Sequence, residues 1–330
     1  MTTPTEPVDY ALAHAKEALA GDPRTGELEV DLALDASRVV VTGVVATPQR
    51  QAAIVEVLRE VLPDREVRDH TTVAVAEPPV MPRVATVRVA AVGDIHVGTD
   101  SAGTLRGLLE PLADQADLLL VAGDLTRHGT REEAEVAGGE LGGLRLPVVA
   151  VLGNHDYHSD QEAAVTEVLE VSGVRVLEGS ATVVELDGTS VGVAGTKGFG
   201  GGFPGRCGSD FGEPEMKAFV RHSKALAATL EEALAGLDTD IRIALLHYAP
   251  VSATLAGEPP EIHPFLGSFY LAEAIDRAGA DLAVHGHAHR GSREGVTPGG
   301  VLVRNVAEPV IRRPYELLCL ERGADGVRLR

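Results

Sequence analysis

Aspartates, histidines and one asparagine recur in this chain in groupings that could hold metal ions. Asp94-Ile-His96 comes first, followed by Gly123-Asp124 and by Gly153-Asn154-His155-Asp156. Thirty residues separate Asp94 from Asp124, and thirty more separate Asp124 from Asn154. Further along stand His247 and the run His285-Gly-His-Ala-His289. Each piece alone has a plain structural reading: a turn, a helix cap, a core histidine. Together they offer carboxylate, amide and imidazole donors without thiolate, a set that suits Mn, Fe or Zn in an open catalytic site. Asp94, His96, Asp124, Asn154, His247, His287 and His289 are more donors than one ion takes from a protein. They point to a pair of divalent or transition metal ions.

The elements that must position these groups are visible upstream of each one. Apolar runs at 84–92, 116–122 and 146–152 end where the first three groups begin, and helical periods lie between them at 104–113 and 130–140. Strands alternating with helices at this pitch indicate βαβ units around a buried sheet. In such sheets ligands gather beyond the carboxyl ends of the strands, so the three groups should converge on one rim. A later set of strands is expected at 181–186, 190–194, 241–247, 281–285 and 301–304, with a hairpin at 315–330. The runs ending at His247 and His285 deliver their imidazoles in the same manner.

Residues 1–76 have a different texture. An amphipathic helix through Leu12, Ala15 and Leu19 ends at Gly21-Asp-Pro23. Two strands follow at 28–34 and 39–45. Thr47-Pro48 then caps a helix through Ile54, Val57, Leu58 and Val61, and a third strand runs over 65–75. The order is αββαβ. Three prolines within 77–83 favour an extended connector, and 84–330 forms the larger domain.

Composition narrows the class. The chain has 330 residues, with 49 acidic against 29 basic side chains and a net charge of −20. That balance argues against a sequence-independent nucleic-acid coat, which relies on Lys and Arg contacts to phosphate. Aromatics are 3 % and tryptophan is absent, so base-stacking platforms are not expected either. Two cysteines make no disulfide framework, and no secretory signal is readable at the N-terminus. The apolar runs are too short to cross a bilayer. The expectation is a cytoplasmic protein.

The ordered set Asp94-x-His96, Gly123-Asp124, Gly153-Asn154-His155-Asp156, His247 and Gly286-His287-x-His289 resembles that of the calcineurin-like metallophosphoesterases. The resemblance implies a four-layer α/β/β/α sandwich with two metals at the strand ends. One metal would be held by Asp94, His96, Asp124 and His289. The other would be held by Asp124, Asn154, His247 and His287, with Asp124 bridging. His155 would face the leaving group. The chemistry agrees: two ions about 3.5–4 Å apart can activate a bridging hydroxide and clamp phosphoryl oxygens, and a histidine can protonate the leaving oxygen. The αββαβ segment resembles the BON domain through Asp22-Pro23-Arg24 and Val39-x-Val41-x-Gly43-x-Val45. That likeness implies attachment to phospholipid or to a protein, hence peripheral membrane association.

Departures from the family pattern narrow the branch. Leu125-Thr-Arg-His-Gly129 lacks the carboxylate and the arginines of the protein phosphatases, and Arg127 stands where purple acid phosphatases carry tyrosine. The run looks more like bacterial phosphodiesterases. It leaves the partner that orients His155 unassigned. The glycine-rich run 195–205 lacks the Lys-Ser/Thr ending of a nucleotide P-loop and reads as a mobile substrate loop that brings Lys197 and Arg206 to phosphate. Arg127 and His128 are further substrate candidates. Cys207 reads as an ordinary thiol and His285 as support for the ligands. The expected activity is hydrolysis of a small phosphodiester, with no stable nucleic-acid binding. The alternatives are a phosphomonoesterase of small phosphorylated metabolites and a non-catalytic metal-binding scaffold.

Overall fold

In the computed structural model, residues 8–25, 30–35, 37–73, 85–323 and 326–330 are described. The chain divides into two compact units, Met1–Met81 and Pro82–Arg330. The proline-rich connector at 77–83 lies outside the described residues, as does the tip of the C-terminal hairpin at 324–325.

The first unit comprises α1 (Val8–Gly21), β1 (Asp31–Asp35), β2 (Arg38–Val45), α2 (Pro48–Val61) and β3 (Glu66–Val73). β2 is central, antiparallel to β1 and parallel to β3. The Thr47 hydroxyl accepts from the Arg50 N–H at 3.1 Å and Pro48 opens α2, so the cap works as its residue types dictate. Val39, Val41 and Val45 pack with Ile54, Val57, Leu58, Ala15 and Leu19 in a core of the unit's own.

The second unit runs β4 (Ala85–Val92), α3 (Arg106–Leu109), β5 (Leu118–Ala122), α4 (Arg131–Leu141), β6 (Val148–Val151), α5 (Glu162–Val171) and β7 (Val174–Val176). It then builds a second sheet through β8 (Ser180–Leu186), β9 (Thr189–Thr196), the short hairpin β10 (Gly202–Phe203) and β11 (Arg206–Cys207), α6 (Pro214–Ala235), β12 (Ile241–Leu246), α7 (His263–Leu266), α8 (Phe269–Ala278), β13 (Leu282–His285), β14 (Glu294–Val296) and β15 (Leu302–Asn305). After α9 (Glu308–Ile311) it returns to the first sheet as β16 (Glu316–Gly323) and β17 (Gly326–Leu329). The sheet orders are β17-β16-β4-β5-β6-β7 and β14-β15-β13-β12-β9-β8. β4 to β7 are parallel, as are β9, β12, β13 and β15.

Strand alternation makes the layers. On β12, Ile241, Ile243 and Leu245 join the cluster shared with β4, β5 and β6, so the two sheets pack face to face. Ala244 and Leu246 point the other way, onto Leu230 of α6 and Leu271 and Ile275 of α8. Ala134, Ala137, Val165 and Leu169 of α4 and α5 cover the outer face of the first sheet. The result is a mixed α/β sandwich with helices on both outer faces. One expected helix is shorter than its periodicity implies. Pro111 cannot continue an α-helix, and the chain turns from α3 into a 3₁₀ segment over Glu110–Asp114. No helix among the described residues is long and apolar enough to cross a membrane.

Candidate metal centre

Five parallel strands end at one edge, and each releases a polar group within one to three residues. β4 leads to Asp94, β5 to Asp124, β6 to Asn154, β12 to His247 and β13 to His287. Their donor atoms form two clusters, Asp94/His96/His289 and Asp124/His247/His287, each within 4.8 Å. A third grouping, His96/Asp124/His155, places Asp124 between them.

The backbone is bent to achieve this. Asp94, His96, Asp124 and His287 have φ of 60°, 42°, 51° and 69°, a region costly for residues with a Cβ. The bends are stitched together: Asp94 N–H donates to Gly123 O, and His96 N–H to Asp124 O, each at 3.0 Å. Gly123 has φ +81°, and a Cβ there would lie 2.5 Å from His247 Nδ1. Only glycine lets that imidazole reach the edge.

The His247 ring is buried and its Nδ1–H donates to Ala122 O at 2.9 Å. Nε2 stands 3.0 Å from Asn154 Oδ1 and 3.4 Å from Asp124 Oδ1, and with the proton on Nδ1 it is the nitrogen that could ligate a metal ion. A cation between them would satisfy this nitrogen and both oxygens at once. The donor set fits a hard or borderline metal ion. His287 donates Nε2–H to Phe265 O at 3.3 Å, which frees Nδ1. Burial and the neighbouring His247 push the His287 imidazole down to about 3, in its neutral, ligating form. Burial opposes ionisation of Asp94, but His289 Nε2 at 2.9 Å and the His287 N–H hold its carboxyl below the usual value. The same contact raises His289.

His155 N–H donates to Asp124 Oδ1 at 2.8 Å, and its ring centroid lies 4.5 Å from that of His96. Its Nδ1–H donates to the Arg127 carbonyl at 2.8 Å, so a backbone oxygen takes the orienting place that no carboxylate fills. Sequence alone also misses what Asp156 does. This wholly buried carboxylate accepts from Leu125 N, Thr126 N, Thr126 Oγ1 and Gly153 N, tying the loops after β5 and β6 together. Burial and Asp124 push it up to about 6.

The substrate candidates fare unequally. The Arg127 guanidinium is engaged by Asp100 at 3.1 Å, and His128 by buried Glu133 at 2.9 Å. Arg206 lies on the exposed hairpin strand β11, and exposed Cys207 joins none of the donor clusters. Lys197 corrects the expectation of a mobile loop. It is 7 % exposed, with Nζ at 4.8, 5.1 and 5.3 Å from the rings of Tyr157, Phe199 and Tyr248. Among the described residues no carboxylate pairs with it; Nζ donates to Gly198 O at 3.3 Å. The glycines serve close packing, since a Cβ on Gly200 would come 2.6 Å from Pro264 O. His285 uses both nitrogens on Gly286 O and Thr254 Oγ1, which leaves none for a ligand.

Residues 87–291 match the family model described as calcineurin-like phosphoesterase. The chain belongs to that family. It is therefore a metal-dependent phosphoric ester hydrolase of a dinuclear type. This phosphoesterase is similar in fold to the phosphopantetheinyl hydrolase PptH of Mycobacterium tuberculosis, at TM-score 0.51 and 17 % identity, over 69 % of this chain and 94 % of that one. A Staphylococcus aureus protein described as a candidate 5'-nucleotidase gives TM-score 0.50 at 14 % identity, over 74 % of this chain and 53 % of that one. At such identities the likeness concerns the fold alone. No curated protein matches the phosphoesterase in sequence.

Replacing Gly123 with Ala should displace His247 and weaken metal binding about 10–100-fold, the usual cost of disturbing what orients a ligand. Equilibrium dialysis with elemental analysis reads this. Cys207→Ala should match the wild type, and equal metal content in both variants would refute the positioning role of Gly123.

Proposed function

We propose that the chain is a two-metal phosphodiesterase acting on small substrates. The observation that carries this reading is the set of convergent acceptors on Asp124, Asn154 and His247, flanked by Asp94, His96, His287 and His289, with His155 held beside Asp124. A bound metal pair of Mn, Fe or Zn type supplies Lewis-acid activation of water and of the phosphoryl oxygens. Asp94, His96, Asp124 and His289 would hold one ion; Asp124, Asn154, His247 and His287 would hold the other.

The remaining steps belong to the chain's own residues. His155, protonated on both nitrogens, keeps Nδ1–H on the Arg127 carbonyl and offers Nε2–H to the leaving oxygen. Lys197 adds one fixed positive charge on the side of Tyr248, whose ring lies 4.3 Å from that of His287. Desolvation draws the Lys197 ammonium below its usual value, and the Glu178 and Asp124 carboxylates oppose that.

Preference for diesters follows from the count of free charges at the centre. A monoester dianion needs its second charge offset, commonly by a guanidinium fork. Here Arg127 is committed to Asp100 and Arg206 is on an outer hairpin, which leaves Lys197 on the Tyr248 side, while Arg312 and Arg313 line a separate cavity beyond Asp94. The first unit, with its αββαβ order, would attach the enzyme to phospholipid or to a protein partner.

With metal-loaded protein, kcat/KM for bis(4-nitrophenyl) phosphate should exceed that for 4-nitrophenyl phosphate by at least about tenfold, ~1.4 kcal/mol in barrier. The reverse order would make the enzyme a phosphomonoesterase, and hydrolysis of neither would leave a metal-binding scaffold.

His155→Ala should slow esters with alkoxide leaving groups by about 10²–10⁴-fold and nitrophenyl esters much less, at unchanged metal content. Equal slowing of both would remove His155 from proton transfer.

A chain shortened to begin at Arg83 should retain metal binding and diester hydrolysis at close to the full rate, since every donor lies at or beyond Asp94. A folded but inactive product would place the first unit in the active site.

A further inference from the structure

Beyond the Asp94/His96/His289 cluster, three cavities run on from one another. One of about 340 Å³ starts at Asp94 and is walled by Ser101, Thr104, Leu108, Arg312 and Arg313. A second, of about 660 Å³, starts at His289 and is walled by Arg290, Arg293 and Arg312. A third, of about 430 Å³, shares Leu108 and Arg313 with the first and Arg293 with the second. Arg312 thus lines two spaces, one with Asp94 and the other with His289 in its wall.

The position of these arginines is built into the site. Arg312 closes α9 in the left-handed region, at φ 53°, where glycine is the usual residue. Its N–H donates to Glu308 O at 2.8 Å, and the Glu308 N–H donates to Gly93 O at 2.9 Å. Gly93 is the residue before Asp94, so the arginine turn is tied to a donor's own backbone.

Charge sets this wall apart in a chain of net charge −20. Arg88, Arg131, Arg277 and Arg304 each hold a carboxylate, and Arg293 holds Glu316 at 2.6 Å. The side chains of Arg290, Arg312 and Arg313 have no ion pair or hydrogen bond to any described residue. Asp94 and Glu308 also line the first cavity; Asp94 is one of the residues that would hold a metal ion, and Arg312 and Arg313 then face Glu308 as the other carboxylate of the wall. A guanidinium fork matches the oxygens of phosphate. The cavity is of small-molecule size, too small for a folded partner.

We propose that Arg312 and Arg313, with Arg290 beyond them, bind a second phosphate carried by the same small substrate whose ester is cleaved at the metal centre. The proposal deepens the phosphodiesterase reading and rests on it for the term substrate. The binding claim is tested separately. Calorimetric titration of the metal-loaded full chain compares thymidine 3',5'-bisphosphate with thymidine 5'-phosphate. The bisphosphate should bind about tenfold tighter or better. In the double variant Arg312→Gly/Arg313→Ala that ratio should fall to near one. Glycine suits φ 53° at residue 312, so the turn is kept. Arg145→Ala, which removes an exposed charge paired with Asp114, should retain the ratio.

The same ratio should appear in kcat/KM for thymidine 5'-(4-nitrophenyl phosphate) with and without a 3'-phosphate, mainly through KM. Equal binding of the two nucleotides by the wild type, or a preference that survives in the double variant, would overturn the subsite. Preferential binding with no hydrolysis of either ester would overturn the phosphodiesterase reading and leave the subsite standing.

Discussion

His247 Nε2, Asn154 Oδ1 and Asp124 Oδ1 face one another across 3.0–3.4 Å, with His247 and Asp124 buried and Asn154 partly so. Like-polarity groups so close are unfavourable without a cation, and the bond from His247 Nδ1–H to Ala122 O prevents the ring from turning its proton inward. Much of the remaining architecture holds these atoms in that arrangement. The left-handed backbone at Asp94, His96, Asp124 and His287 stores conformational cost at the same edge. A metal ion returns that cost by satisfying every acceptor at once.

The sandwich supplies the rigidity such strain requires. β5 is buried along its whole length, and β12 sends alternate side chains into two different apolar clusters, so neither strand end can drift without opening a core. Asp156 does locally what the cores do globally. Its four accepted hydrogen bonds join the loop that carries Asp124 to the loop that carries Asn154 and His155. The Arg127 carbonyl then fixes the His155 ring. The placement of Asp124, Asn154 and His155 therefore rests on one stitched loop pair.

The convergence of these side chains was readable in the sequence because each group is short, contiguous and placed directly after an apolar strand. The sheet order was less readable, since it depends on pairings such as β16 with β4 across more than two hundred residues. Pro111 marked the limit of periodicity as a guide, turning an expected helix into a short α-helix and a 3₁₀ turn. Asp156 gave no signal of its own, because its partners at Leu125 and Thr126 lie about thirty residues away. The orienting group for His155 is a main-chain oxygen and has no residue type to recognise. The glycine-rich run misled for a physical reason. Abundant glycine marks either mobility or close backbone approach, and only the packing of Gly200 on Pro264 and of Lys197 among three rings decides between them.

Positive charge is scarce in this chain, and its distribution around the centre is uneven. Lys197 is buried within an aromatic enclosure, so it acts as one fixed charge with little freedom to leave. Arg127 spends its guanidinium on Asp100 and lends the site only its carbonyl. Arg290, Arg312 and Arg313 are exposed, with no side-chain partner among the described residues, and line the cavities that include Asp94 and His289. A phosphoryl group bound as proposed would meet a buried cation toward Tyr248 and exposed guanidiniums beyond Asp94 and His289. Rigid charge close in stabilises the reacting group, whereas flexible charge farther out can grip a substituent whose position varies. In a chain of net charge −20, that asymmetry places one buried cation and a group of exposed guanidiniums on different sides of the same strand-end cluster.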